Sequence, residues 1–197
     1  MSILGLSNSE DNNYYIRWMP SVNSWKTGDE EVELKYILVD PESVKTGWGR
    51  IQMGIAPDWK WDEQLGQRTS RPADGLSEEE RMEYKRGFKV DLFSENTGLR
   101  TWSANGTGAV MGFEKLYTDI HAGLKDNPGK VPVVEYTGSE AIKVGTKGGS
   151  TRVPEFRIVK WTETKEFDWE QSEPYEEPED LNGSTSDDTP FDDEIPF

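Results

Sequence analysis

Four short stretches set an indole or phenyl ring beside cations. Trp48 stands two residues before Arg50, and Trp59 and Trp61 flank Lys60. Lys85, Arg86 and Lys89 surround Phe88, and Trp102 follows Arg100 by two residues. A Gly-rich stretch, Gly145 to Thr151, adds Lys147 and leads into Arg152. This mixture is what an unpaired nucleic-acid strand requires of a protein. Cations neutralise phosphates and release counterions. Each ring can stack a base, worth about 1–3 kcal/mol. The pattern carries weight as an ensemble, because each position also has a plain structural use. Trp18, Phe88 and Trp102 fall in expected strands, where rings pack cores. Arg86 and Lys89 suit solvated strand edges. Trp59 and Trp61 lie in a Pro-containing stretch and are the better surface candidates.

Other chemistries find little support. There is no cysteine, and His121 is the only histidine, which argues against transition-metal sites and Cys-His or Ser-His catalysis. A magnesium site of carboxylates alone is chemically conceivable. Pro57-Asp58 and Glu33-Leu34-Lys35 resemble halves of a nuclease signature, but in reversed order, and Glu163-Thr164-Lys165 lies far off in an acidic segment. Asp91 suits the solvent side of an alternating strand. The Gly145 loop lacks the Gly-Lys-Ser/Thr ending of a phosphate-binding loop, and no helix is expected after it. The expectation is a non-enzyme with no metal and no cofactor.

Ten or so elements must position these residues. Tyr14–Trp18 reads as a short strand, and Val32–Asp40 as another, with Val32, Leu34, Tyr36 and Leu38 on one face. Gly47–Ile55 is a third. Residues 56–86 look like an insertion with a small helix from Ser77, whose spacing to Glu80 is that of a capping box. Phe88–Phe93 and Leu99–Ser103 pair across Asn96-Thr97-Gly98. The spacing of Val110, Phe113, Leu116, Tyr117, Ile120 and Leu124 predicts a helix from about Ala109 to Lys125. Val131–Tyr136, Ile142–Val144 and Val153–Trp161 complete the strands. The expected class is mainly β with one principal helix, in the order of an oligonucleotide-binding (OB) barrel carrying an insertion.

The charge divides sharply along the chain. The 197 residues carry a formal net charge of −16. Residues 162–197 hold 14 Asp and Glu against Lys165 alone, while residues 1–161 hold 24 acids and 21 Lys plus Arg. The body is nearly neutral, so the overall acidity does not exclude a nucleic-acid partner. Residues 1–161 read as one DNA-binding domain. From 162 onward, acids, Ser, Pro and Gly replace apolar residues, and the composition predicts a disordered tail. Neither a secretory signal nor a bilayer-spanning apolar run is read from the sequence. The expectation is a soluble, cytoplasmic protein.

The tail closes on Asp192-Asp193-Glu194-Ile195-Pro196-Phe197. This peptide resembles the C-terminal tip of bacterial single-stranded DNA-binding proteins, Asp-Asp-Asp-Ile-Pro-Phe, with Glu194 in place of the third Asp. The body looks like a divergent bacteriophage or mobile-element member, which would place it in the bacterial host cytoplasm. The resemblance implies an OB fold, sequence-independent coating of single-stranded DNA, no catalysis and often a homo-oligomer. It also implies a tip that docks enzymes of replication, recombination and repair. Physically, Phe197 offers a ring and a terminal carboxylate, Pro196 limits the conformations lost on binding, and the acids steer toward basic surfaces. Two other classes share these features: an annealing protein bearing the same tip, and a decoy that occupies tip-binding pockets without binding DNA.

Overall fold

The computed structural model describes residues 15–52, 56–145 and 149–163. Ten strands form one branched sheet around a single long helix. In chain order they are β1 (Tyr15–Met19), β2 (Ser24–Thr27), β3 (Glu30–Val32), β4 (Tyr36–Val39), β5 (Lys45–Arg50) and β6 (Asp58–Trp61). After helix α1 (Glu78–Glu83) come β7 (Lys85–Ser94) and β8 (Gly98–Ala104). Helix α2 (Thr107–Leu124) then leads to β9 (Lys130–Val144) and β10 (Gly149–Glu163).

The sheet branches at β7. One edge of β7 pairs with β8, which continues through a parallel contact to β1 and on to β2 and β3. The other edge is shared. Its C-terminal end takes β4, then β9 and β10, and its N-terminal half takes β5, then β6. The two arms curl toward each other over the core. Trp18 and Trp25 of the first arm lie 5.9 Å from Tyr136 and 6.2 Å from Phe156 of the second. Trp18 Nε1 donates to the Arg152 carbonyl at 3.4 Å. Among the described residues no ladder joins β3 to β10, so the expected closed barrel is not formed; the sheet is curled and open.

Helix α2 fills the hollow. Its buried residues, Gly108, Ala109, Gly112, Phe113, Leu116 and Ile120, recur at helical spacing. Phe113 stacks on Phe88 at 4.0 Å. Gly108 and Gly112 let the helix backbone ride on β10, where a Cβ would come within 2.2 Å of the Arg152 carbonyl and 2.5 Å of the Pro154 carbonyl. The capping box of α1 is present: Ser77 Oγ accepts from Glu80 N–H, and Glu80 accepts from Ser77 N–H at 2.9 Å.

Some elements depart from expectation. Val32–Asp40 is broken into β3 and β4. Ile37 and Val39 face the core, which leaves Tyr36 49% exposed. The 56–86 segment opens with a strand, β6. Residues 131–144 form one strand rather than two, because backbone pairing with β10 resumes after an irregularity at Thr137 and runs on through residues 138–141, with no apolar pattern to betray it. β10 runs two residues past the expected boundary at 161. Thr162 is buried and Glu163 still pairs with Lys130.

Candidate nucleic-acid interface

Directly opposed residues of antiparallel strands point to the same side of a sheet. The register of β6, β5, β7 and β8 therefore sorts the candidate residues into two faces. Trp59 opposes Gly49, which opposes Lys85; Trp61 opposes Gly47, which opposes Gly87. Lys45 opposes Lys89, which opposes Ser103. These residues share the outer face, turned away from α2. Trp48 opposes Arg86 and Thr46 opposes Phe88, so these four point inward.

Glycine shapes the outer face. Gly47 and Gly49 alternate along β5, and Gly47 opposes Gly87 on β7, so these three positions form a floor without side chains. The two indoles occupy that space. A Cβ on Gly49 would meet the Trp59 ring at 2.5 Å, and one on Gly87 would meet it at 2.7 Å. A Cβ on Gly47 would meet the Trp61 ring at 3.0 Å. Trp59 and Trp61 lie face to face with centroids 4.4 Å apart and planes within 7°. Both remain partly exposed.

Beside the floor stand amines. Lys45 and Lys85 are exposed and Lys89 is half-buried, and none has an ion-pair partner among the described residues. Lys45 and Lys89 face each other across the strand pair, a like-charge arrangement that costs stability. Asp91 follows Lys89 on the same face and accepts a hydrogen bond from Thr101 Oγ1 at 2.6 Å. Rings to stack on and ammonium groups for phosphates are what this face offers chemically.

The inward candidates do other work. Asp62, with its carboxylate 1% exposed, accepts from Arg86 Nη1 and Nη2 at 2.8 and 2.5 Å, and from Thr46 and Thr69 hydroxyls at 2.6 and 2.5 Å. The Arg86 guanidinium, backed by both hydroxyls, holds the Asp62 carboxyl well below the usual carboxylate range. Trp48 donates Nε1–H to the Thr69 carbonyl at 3.0 Å, with Arg71 and Arg86 over its ring at 5.0 and 5.6 Å. Arg50 pairs with Glu83 at 2.6 Å and Glu80 at 3.5 Å, and Lys60 with Asp58 at 3.0 Å. Tyr84, buried, donates to the same Asp58, whose carboxyl is lowered first by that bond. Trp48, Arg50 and Arg86 thus fasten the 56–84 segment to the sheet.

Two further candidates are core. Phe88 is 2% and Trp102 1% exposed, enclosed by each other, Phe113 and Trp25. Neither ring can reach a base without unfolding the sheet. Arg100 opposes Leu92, off the Lys89 face, and donates to the Leu99 carbonyl at 2.7 Å. Arg152 sits on the β9–β10 ribbon and donates to Ser139 Oγ at 2.9 Å. Lys147 and the tip, Asp192 to Phe197, lie outside the described residues.

The structure therefore brings Trp59, Trp61, Lys85 and Lys89 onto one face and leaves the other described candidates off it. It adds Lys45, which the sequence reading missed. The available signal was Gly47-Trp48-Gly49: alternate glycines in a strand leave one face bare for something else to cover. Among the described residues no group of three His, Cys, Asp or Glu is placed to hold a metal, and no helix is long and apolar enough to cross a membrane. No protein-family model, no curated protein and no solved structure matches this chain.

Proposed function

We propose that this protein binds single-stranded DNA without regard to sequence and recruits partner enzymes of replication, recombination and repair through its C-terminal tip. The observation that carries this reading is the terminal Asp192-Asp193-Glu194-Ile195-Pro196-Phe197 at the end of an acidic segment. The outer face supports it with partly exposed Trp59 and Trp61 beside Lys45, Lys85 and Lys89. Stacking on any base and charge pairing with any phosphate are indifferent to sequence. In this reading the curled sheet is a divergent OB barrel left open between β3 and β10. The role is one of binding, without catalysis.

The test is titration of a labelled oligothymidylate into residues 1–163, which keep the whole of β10. Tight, salt-sensitive binding that ignores base composition supports coating. Faster pairing of complementary strands would indicate annealing instead. A folded body that binds no single strand at low salt would leave a decoy of tip-binding enzymes.

A further inference from the structure

The closed Trp59–Trp61 pair contains a mismatch of two lengths. Residues two apart on a strand have Cα atoms about 6.7 Å apart. The two ring centroids are only 4.4 Å apart, so the rings lean toward each other. A planar ring held in van der Waals contact on both faces needs neighbours about 7 Å apart, twice a carbon contact of about 3.5 Å. Upright indoles on the Trp59 and Trp61 backbones would leave a gap of this size.

We propose that Trp59 and Trp61 are two leaves of an aromatic clamp, closed here over the glycine floor, that opens to hold one unpaired base between them. The inference rests on the single-strand reading above and adds the site, its capacity and its closed state. Closure gives the indoles each other as partners while the clamp is empty, which keeps two large rings from standing in water. Opening exchanges that one ring contact for two with the base. The lysines place charge for the flanking phosphates: Lys85 lies in the Trp59–Gly49 row, and Lys45 and Lys89 in the row beyond Trp61–Gly47. A free nucleotide offers the same planar ring, but with fewer phosphates for those amines.

The glycine floor supplies the sharpest test. At Gly49, the three nearest atoms to an added Cβ all belong to the Trp59 ring, the nearest at 2.5 Å, and the backbone has no positive φ. Gly49→Ala should therefore displace one leaf and leave the strand intact. At Gly47 and Gly87 a Cβ would strike backbone carbonyls instead.

The experiment uses the full chain, an oligothymidylate and thymidine monophosphate. Affinity is measured for wild type, Trp59→Ala, Trp61→Ala, the double variant and Gly49→Ala. Thermal melting checks that each variant is folded. A clamp needs both leaves, so each single variant should lose about tenfold and the double little more. The part of the circular-dichroism exciton signal that Trp59→Ala removes, as distinct from that of the core Trp18–Trp25 and Trp25–Trp102 pairs, should fade on adding the oligonucleotide and be already weak in Gly49→Ala. The monophosphate should bind far more weakly than the oligonucleotide; equal binding would make this a free-nucleotide site. Multiplicative losses, or loss from only one indole, would overturn the clamp in favour of independent stacking faces. So would a Trp59-dependent exciton component that DNA leaves unchanged. Full binding by the double variant would sink the clamp but spare the single-strand reading, whereas no binding by wild type would sink both.

Discussion

Asp62 and Arg86 meet in a two-pronged ion pair, 2.8 and 2.5 Å long, that ties the segment after β6 to the start of β7. The carboxylate is almost fully enclosed, while the Arg86 side chain remains 29% exposed. Thr46 and Thr69 occupy further acceptor positions on Asp62, so its burial is compensated by hydrogen bonds. Arg86 also lies over Trp48. The pair thus anchors an insertion that carries Trp59 and Trp61, and its loss should be felt at the outer face as well as in stability.

Replacing Asp62 with Ala should cost about 3 kcal/mol, the lower end for breaking a buried pair, because Arg86 keeps contact with solvent. The acid response has a definite sign. The folded-state pKa of Asp62 is depressed below its unfolded value of 3.8. Its contribution is therefore fully present above that value and lost as pH falls through the folded pKa. Urea melts from pH 6 down to pH 3 should show wild type losing more stability than Asp62→Asn. Parallel decline of the two proteins would remove Asp62 from the acid response.

Lys45 and Lys89 should trade stability against binding. Changing Lys45 to Gln removes a like-charge cross-strand contact and should stabilise the fold by about 0.2–1 kcal/mol. The same change should weaken oligothymidylate binding and reduce the slope of log affinity against log salt by about 0.7, one phosphate contact on a single strand. Paired melts and salt titrations check both signs. An unchanged slope would take this lysine off the DNA path.

Phe88 and Trp102 should behave as core residues. Phe88→Ala should cost about 3–5 kcal/mol through the cavity it leaves beneath Phe113. At temperatures where the variant remains folded, its affinity for oligothymidylate should match that of wild type. A selective loss of affinity in a stable variant would restore Phe88 to the interface.

Deleting Phe197 should abolish recruitment of a tip-binding enzyme with DNA affinity nearly unchanged. Loss of a buried aromatic anchor commonly costs at least about 2 kcal/mol, some thirtyfold in affinity. Calorimetric titration of the C-terminal peptide, with and without Phe197, into such an enzyme measures it. Equal binding by both peptides, or binding by neither, would make the terminal resemblance coincidental.

Removing residues 164–197 should strengthen oligothymidylate binding at low salt, because that acidic segment competes with phosphates at high effective concentration. The gain should shrink as salt screens those charges. Identical affinities for full-length and shortened protein at low salt would show that the segment does not compete.

Local rules were legible in the chain itself. The helix spacing from Val110 to Leu124, the Ser77–Glu80 capping box and the β7–β8 turn at Asn96-Thr97-Gly98 each depend on neighbours a few residues away, and the structure contains all three. The cation–aromatic character of residues 48–61 and 85–102 was legible for the same reason, since composition needs no partner. Which side each ring faces was not. Trp48 and Trp59 both sit beside cations, yet the pairing of β5 with β6 and β7 turns Trp48 toward Thr69 and Trp59 onto the glycine floor. A shift of one residue in that register would exchange the two faces. Register is set by contacts between strands as far apart as Trp48 and Arg86, and by Asp62, which bonds Thr46 of one strand and Arg86 of the other. No window along the sequence contains all of these residues in their folded relation, so only the tertiary structure could decide that Trp59, Trp61, Lys45, Lys85 and Lys89 share one surface.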